Sequence, residues 1–91
     1  MQIVHVNGTD RGRVMLYALS TCGWCGKTRD LLEALGVAFD YVYVDLVAPD
    51  QQKPVIEEVE KHNPSLSFPT VVIGEKTIVG FKENEIREAL K

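Results

Sequence analysis

The sequence predicts a single α/β domain in which a mixed sheet carries helices, and three observations point there. A short, almost unbroken apolar run from Arg13 to Leu19 is followed by a stretch with helical spacing. A second run rich in β-branched and aromatic residues, Phe39 to Leu46, comes next. Strand, helix and strand in that order make a βαβ unit. Later, Thr70 to Ile73 and Thr77 to Val79 flank Gly74-Glu75-Lys76, the pattern of a β-hairpin. A chain of 91 residues holds one hydrophobic core, which excludes a two-lobed arrangement.

Each element has its own justification. The first strand is bounded by Gly12 and Ser20-Thr21, and its lack of polar alternation places it where both faces are covered. From Trp24, inward positions recur at Thr28, Leu31, Leu32 and Leu35, the ladder of an amphipathic helix over about residues 23 to 35, and Gly36 stands where a left-handed C-cap is wanted. Phe39 to Leu46 then runs parallel to the first strand through a right-handed crossover. Pro49-Asp50 opens a second helix with Asp50 expected as its N-cap. Pro54 is tolerated there if it lies within the first turn, Val55, Ile56 and Val59 supply the buried stripe, and Asn63-Pro64 ends the helix. After the hairpin Gly80 breaks the second strand, and Glu85, Ile86, Ala89 and Leu90 give a short C-terminal helix one apolar edge. Residues 1–12 read as an extension ahead of a domain at 13–91, with Ile3, Val4 and Val6 as a candidate extra edge strand before an Asn7-Gly8 turn.

Composition narrows the function. With 45% hydrophobic and 25% charged residues the chain is an ordinary globular domain. Ten Lys and Arg against thirteen Asp and Glu give a net charge of −3, so no broad basic field attracts nucleic acid. No apolar run approaches the roughly 20 residues that cross a bilayer, and the first thirteen residues lack a signal-peptide core. The expectation is a cytoplasmic monomer that binds neither nucleic acid nor membrane.

The only two cysteines, Cys22 and Cys25, are too close to staple a fold. In a reducing compartment this spacing is half a zinc site or a redox pair, and zinc would need two more ligands, for which only His5 and His62 are at hand. Cys22 falls where a buried strand meets a helix, so its sulfur faces unpaired N–H groups and the positive end of the helix dipole, both of which favour thiolate over thiol. Cys22 is therefore expected to attack disulfides. Cys25, inside the first turn and more buried, is expected to resolve the mixed disulfide. Gly23 lets a partner backbone approach, Trp24 offers a flat apolar surface, and Lys27 adds a positive charge on the next turn. Lys27 and Arg29 read equally well as an ordinary solvated helix face, and Trp24 as partly a packing residue.

Tyr17 to Cys25, then Phe68-Pro69-Thr70-Val71-Val72-Ile73-Gly74, then Val79-Gly80-Phe81 resemble the glutaredoxin family of the thioredoxin superfamily over about residues 13 to 91. The resemblance implies a thioredoxin fold with a four-stranded mixed sheet of order 2-1-3-4, three helices, a cis peptide before Pro69, and thiol–disulfide exchange at Cys22. It implies that the backbone of Phe68 pairs with the bound thiol partner and that Gly80, Phe81 and Glu83 belong to the binding surface. Disulfide-containing proteins are the implied substrates, with no tightly bound cofactor and with glutathione, another small thiol or a thioredoxin-type reductase as electron donor. An iron–sulfur or zinc carrier holding metal through Cys22 is the alternative within the same resemblance.

The chain departs from the family pattern at three places. Gly23-Trp24 replaces the usual Pro-Tyr between the cysteines, and Leu19 stands where a basic residue is usual. Val79-Gly80-Phe81-Lys82-Glu83 is closer to the Gly-Phe ending of redoxins that serve ribonucleotide reductase. Glu83 is left as the one candidate acceptor for the γ-glutamyl amine.

Overall fold

The computed structural model describes residues 3–91. Eight elements follow in order: β1 (Val4–Val6), β2 (Val14–Ala18), α1 (Gly23–Ala34), β3 (Phe39–Tyr43), α2 (Pro49–His62), β4 (Thr70–Ile73), β5 (Lys76–Val79) and α3 (Glu83–Ala89). They form one five-stranded sheet of order β1-β3-β2-β4-β5. Setting β1 aside, this is the expected 2-1-3-4 arrangement. β2 and β3 are parallel, β4 is antiparallel to β2, and β5 is antiparallel to β4. The candidate N-terminal edge strand is present as β1, antiparallel to β3, while Ile3 lies just outside it.

The core sits on both faces of β2, all five of whose residues are buried. Because side chains alternate along a strand, Val14, Leu16 and Ala18 join Leu32 of α1 and Ile86 of α3 on one face. Met15 and Tyr17 join Val55 and Val59 of α2 on the other. Helices thus cover both sides of the sheet, and the end of β2 is held in register by its neighbours where the cysteine turn begins.

Several sequence-based expectations need correction. Trp24 does not start the inward ladder of α1: Cys25, Thr28, Leu31 and Leu32 are buried and Trp24 is 58% exposed. One residue is about a quarter turn of helix, so Cys25 facing the core carries Trp24 to the side. The helix ends at Ala34 with Leu35 as C-cap, and Gly36 follows at φ +69°, the left-handed position for which glycine is suited. β3 stops at Tyr43, since the chain turns where the Leu46 N–H bonds the Tyr43 carbonyl, and Leu46 is exposed. The N-cap of α2 is Ala48 and not Asp50, because Pro49 occupies the first helical position and has no N–H to cap. Pro54 lies beyond the first turn. The carbonyl it leaves unpaired belongs to Asp50, and both residues are on the exposed face, where water can take that bond. The hairpin turn has two residues, with Lys76 already paired to Ile73 and Gly74 at φ +59°. α3 begins at Glu83, two residues ahead of the apolar edge read from Glu85 onward.

Candidate active site

Cys22 is the N-cap of α1, in extended conformation at φ −92° and ψ 115°. Its sulfur accepts the Cys25 N–H at 3.2 Å, its carbonyl accepts the Gly26 N–H at 3.2 Å, and its own N–H donates to the Leu19 carbonyl at 3.2 Å. The sequence folds this way because β2 must leave the sheet after Ala18 and a helix must begin at once, which puts one side chain opposite the unpaired N–H groups of the first turn. Both thiols are free; Cys22 is half-buried and Cys25 buried. Burial pushes the Cys25 thiol up to about 12, and its hydrogen bond to the Cys22 sulfur is the next cause.

The second wall comes from the other end of the sheet. The Phe68–Pro69 peptide bond is cis, as expected. The Pro69 carbonyl accepts the Gly80 N–H at 2.8 Å, which ties the proline loop to the end of β5, and Gly80 holds φ +85° there. Trp24, Phe68, Pro69, Gly80 and Phe81 come together around a pocket of about 270 Å³. Trp24 and Phe81 close one side of it, their rings stacked with centroids 5.7 Å apart, and the Lys27 ammonium lies over the indole at 4.9 Å. Cys22, Phe68 and Phe81 all pack on the same hydrophobic cluster. Glu83, the candidate amine acceptor, is paired with Arg87 at 2.8 Å. With Lys27 and Phe81 these two edge a second, open depression beside the first. Above Gly23 there is open space. Arg29 belongs elsewhere: its guanidinium bonds Glu33 and the Tyr43 hydroxyl and lies over Tyr41, fastening α1 to β3.

Two polar clusters that hold this site escaped the sequence reading. Buried Asn63 donates to the Ser67 carbonyl and hydroxyl and to the Thr70 hydroxyl, and accepts the Ser65 N–H, so one amide organises the whole proline loop. Asp45 accepts both the N–H and the hydroxyl of Ser20, beside the cysteine turn. Asn63 carried the sequence signal of a helix stop, and Asp45 was absorbed into a strand; neither signal reveals the partners of the side chain.

Among the described residues no three His, Cys, Asp or Glu side chains gather as a metal-holding group. His5 bonds Asp40 across β1 and β3, and His62 stacks on Tyr17. Among the same residues no helix is long and apolar enough to cross a membrane.

A free pair of cysteines at a helix N-terminus beside a cis-proline loop is an arrangement for thiol exchange, and the comparisons place it. The glutaredoxin family profile matches residues 14–78. The chain belongs to the glutaredoxin family. A glutaredoxin structure from Methanosarcina mazei is 58% identical, with a TM-score of 0.89 over 97% of this chain and 86% of that one. The methanoredoxin of Methanosarcina acetivorans is 55% identical, with a TM-score of 0.88 over 91% of this chain and 88% of its own. The glutaredoxin-like NrdH-redoxin of Escherichia coli, noted for a thioredoxin-like activity profile, is 25% identical with a TM-score of 0.68, over 85% of this chain and 93% of its own. Within this glutaredoxin the site is a dithiol with an aromatic wall, and its family is one of thiol–disulfide oxidoreductases.

Proposed function

We propose that this glutaredoxin reduces disulfides of partner proteins, or mixed disulfides, through a dithiol cycle in which Cys22 attacks and Cys25 resolves. The observation that carries the assignment is the asymmetry of the pair: Cys22 is only half-buried at the helix N-terminus with its sulfur accepting an N–H, and Cys25 is 1% exposed with its proton held. In the first step the Cys22 thiolate forms a bond to one substrate sulfur as the S–S bond breaks, and the departing thiolate takes a proton from solvent. In the second, Cys25 loses its proton and attacks the Cys22 sulfur. The second substrate thiol leaves and a Cys22–Cys25 disulfide remains.

Timing comes from the same contacts. The hydrogen bond to the Cys22 sulfur and the charge on that sulfur are two of the causes that keep Cys25 protonated. Once Cys22 is in a mixed disulfide its charge is gone and its sulfur is a weaker acceptor, so Cys25 loses its proton more readily in the intermediate that needs it.

The cycle closes when a donor supplies two electrons and two protons. Half-buried Leu19 packs against the α2-side cluster and offers no cation to a carboxylate, and Glu83 is already engaged by Arg87. These features support a dithiol donor, such as a thioredoxin-type reductase, over glutathione, with another small thiol as a further source. The thioredoxin-like activity profile of the NrdH-redoxin points the same way. No tightly bound cofactor is required by this chemistry.

The test is a pair of variants. Cys22→Ser is expected to abolish disulfide reduction, while Cys25→Ser keeps reduction of glutathione-type mixed disulfides and accumulates protein partners on Cys22, identifiable by mass spectrometry. If Cys25→Ser is the inactive variant and Cys22→Ser the trap, the assignment is reversed.

A further inference from the structure

The parallel ladder of β2 and β3 runs from Met15 opposite Asp40 to Ala18 opposite Tyr43. One further backbone bond continues it, the Val44 N–H donating to the Ala18 carbonyl at 2.9 Å. There β3 leaves the sheet. At the same offset of 25 residues, the Asp45 side chain takes over from the backbone: one carboxylate oxygen accepts the Ser20 N–H at 2.9 Å and the other accepts the Ser20 hydroxyl. Ser20 opens the turn that the Cys22 N–H closes on the Leu19 carbonyl. Ser20 and Thr21 are both exposed, so burial does not hold them. Bonds from Ser20, the hydroxyl first and the N–H second, keep the Asp45 carboxyl below the usual carboxylate range, so the acceptor is charged at neutral pH.

We infer that Asp45 is a positioning residue for thiol exchange, a carboxylate that clips Ser20 and thereby presents the Cys22 sulfur in one orientation. The inference rests on Cys22 being the attacking sulfur. A nucleophile entering in line with an S–S bond has a narrow geometric demand, and a small misplacement lowers the rate far more than it lowers stability. Two bonds from a charged acceptor to an exposed turn provide that restraint without burying it.

The test uses the full chain with Asp45→Ala, Asp45→Asn, Ser20→Ala and the Ser20→Ala/Asp45→Ala double variant. Each is measured for reduction of dithiodipyridine, an uncharged chromogenic disulfide, and for alkylation by iodoacetamide. Asp45→Ala is expected to slow disulfide reduction roughly tenfold and alkylation by less than about threefold, because alkylation tolerates more directions of approach. An Asn side chain can accept the Ser20 N–H and donate to its hydroxyl, so Asp45→Asn is expected to restore reduction to within about twofold of the parent. The double variant is expected to be no slower than Asp45→Ala alone, since the contact is already lost. Unchanged reduction in Asp45→Ala, an Asp45→Asn variant as slow as Asp45→Ala, or equal losses in both reactions would each overturn the inference. If Asp45→Ala does not fold, Ser20→Ala decides, through selective slowing of disulfide reduction or its absence. Failure of the underlying assignment shows itself separately, as disulfide reduction that survives in Cys22→Ser.

Discussion

Trp24 stacks on Phe81 with ring centroids 5.7 Å apart, joining the first turn of α1 to the segment that follows β5. An indole left 58% exposed while it holds Phe81 and the Lys27 ammonium still offers apolar surface to a partner, and aromatic residues of this kind dominate the energetics of protein contacts.

Replacing either ring should therefore separate docking from chemistry. Phe81→Ala is expected to lower the efficiency of protein-disulfide reduction by roughly tenfold, the scale of one aromatic contact of about 1.4 kcal/mol. Alkylation of Cys22 by iodoacetamide should stay close to the parent rate. Trp24 is the single tryptophan, so its emission should shift in Phe81→Ala and report the loss of the stack directly. Equal losses in both reactions would mean that the ring acts on the thiol itself.

Leu19 governs the donor. A lysine there can keep part of its aliphatic stem on the α2-side cluster while its ammonium reaches water. Leu19→Lys is expected to raise turnover with glutathione roughly tenfold, the effect of one charge-assisted hydrogen bond of about 1.5 kcal/mol. Turnover with a dithiol reductant should be nearly unchanged. No gain with glutathione would show that Lys27 or Lys82 already serves the carboxylate.

The succession of elements along the chain, the βαβ unit and the two cysteines were legible because each rests on local signals: unbroken apolar runs, a Cys-x-x-Cys spacing, a glycine after a helix. The 2-1-3-4 order of the sheet was legible only through the family resemblance. The errors fall where tertiary contacts decide. Trp24 has the composition of a core residue, and only the inward turn of Cys25 carries it outside. Pro49 makes Asp50 unnecessary as a cap, a choice between two adjacent residues that propensity alone does not settle. Asp45 is the clearest case, since a polar residue at the end of an element looks the same in sequence whether it meets water or a partner 25 residues away. Asn63 meets partners within seven residues, through a loop whose path the sequence does not reveal.

Asn63 is expected to be worth more to stability than its place at a helix end suggests. Asn63→Ala leaves the Ser65 N–H without its side-chain acceptor and removes the amide N–H bonds to Ser67 and Thr70 inside a loop packed against the sheet. A loss of about 1–3 kcal/mol is expected. Urea unfolding should show a lower midpoint with an unchanged slope; an unchanged midpoint would mean that water replaces the amide without cost.

Gly8 tests how firmly the N-terminal segment is held. The Thr9 N–H donates to the Gly36 carbonyl and the Ala38 N–H to the Thr9 carbonyl, which brings Gly8 against the backbone of Gly36 and Val37. A Cβ at Gly8 would lie 2.5 Å from the Val37 carbonyl carbon. Backbone cannot swing aside as a flexible side chain can, so Gly8→Ala is expected to destabilise by about 1–3 kcal/mol. Thermal unfolding decides it, and a melting temperature equal to the parent's would show that the segment detaches freely.

Cys25 makes stability depend on pH in a direction that can be worked out. Its folded thiol is raised to about 12, by burial first, against an ordinary value of 9.0. Below 9.0 both folded and unfolded chains carry the proton and the stabilising contribution is complete. Above it the unfolded thiol ionises while the folded one does not, so stability falls as pH rises toward the folded value. Tyr17, raised by burial as well, adds a slope of the same sign from its ordinary 10.0 upward. Under reducing conditions the parent should therefore lose more unfolding free energy between about pH 8 and about pH 11 than Cys25→Ala, whose remaining slope comes from Tyr17 and other groups. Alkylation reads out the same proton: near neutral pH iodoacetamide should place its first adduct on Cys22, with a second on Cys25 following far more slowly in the folded chain, since burial still holds that proton after the Cys22 charge is gone. Identical slopes in the two proteins, or rapid double alkylation of the folded chain near neutral pH, would show that Cys25 gives up its proton far more easily than its burial implies.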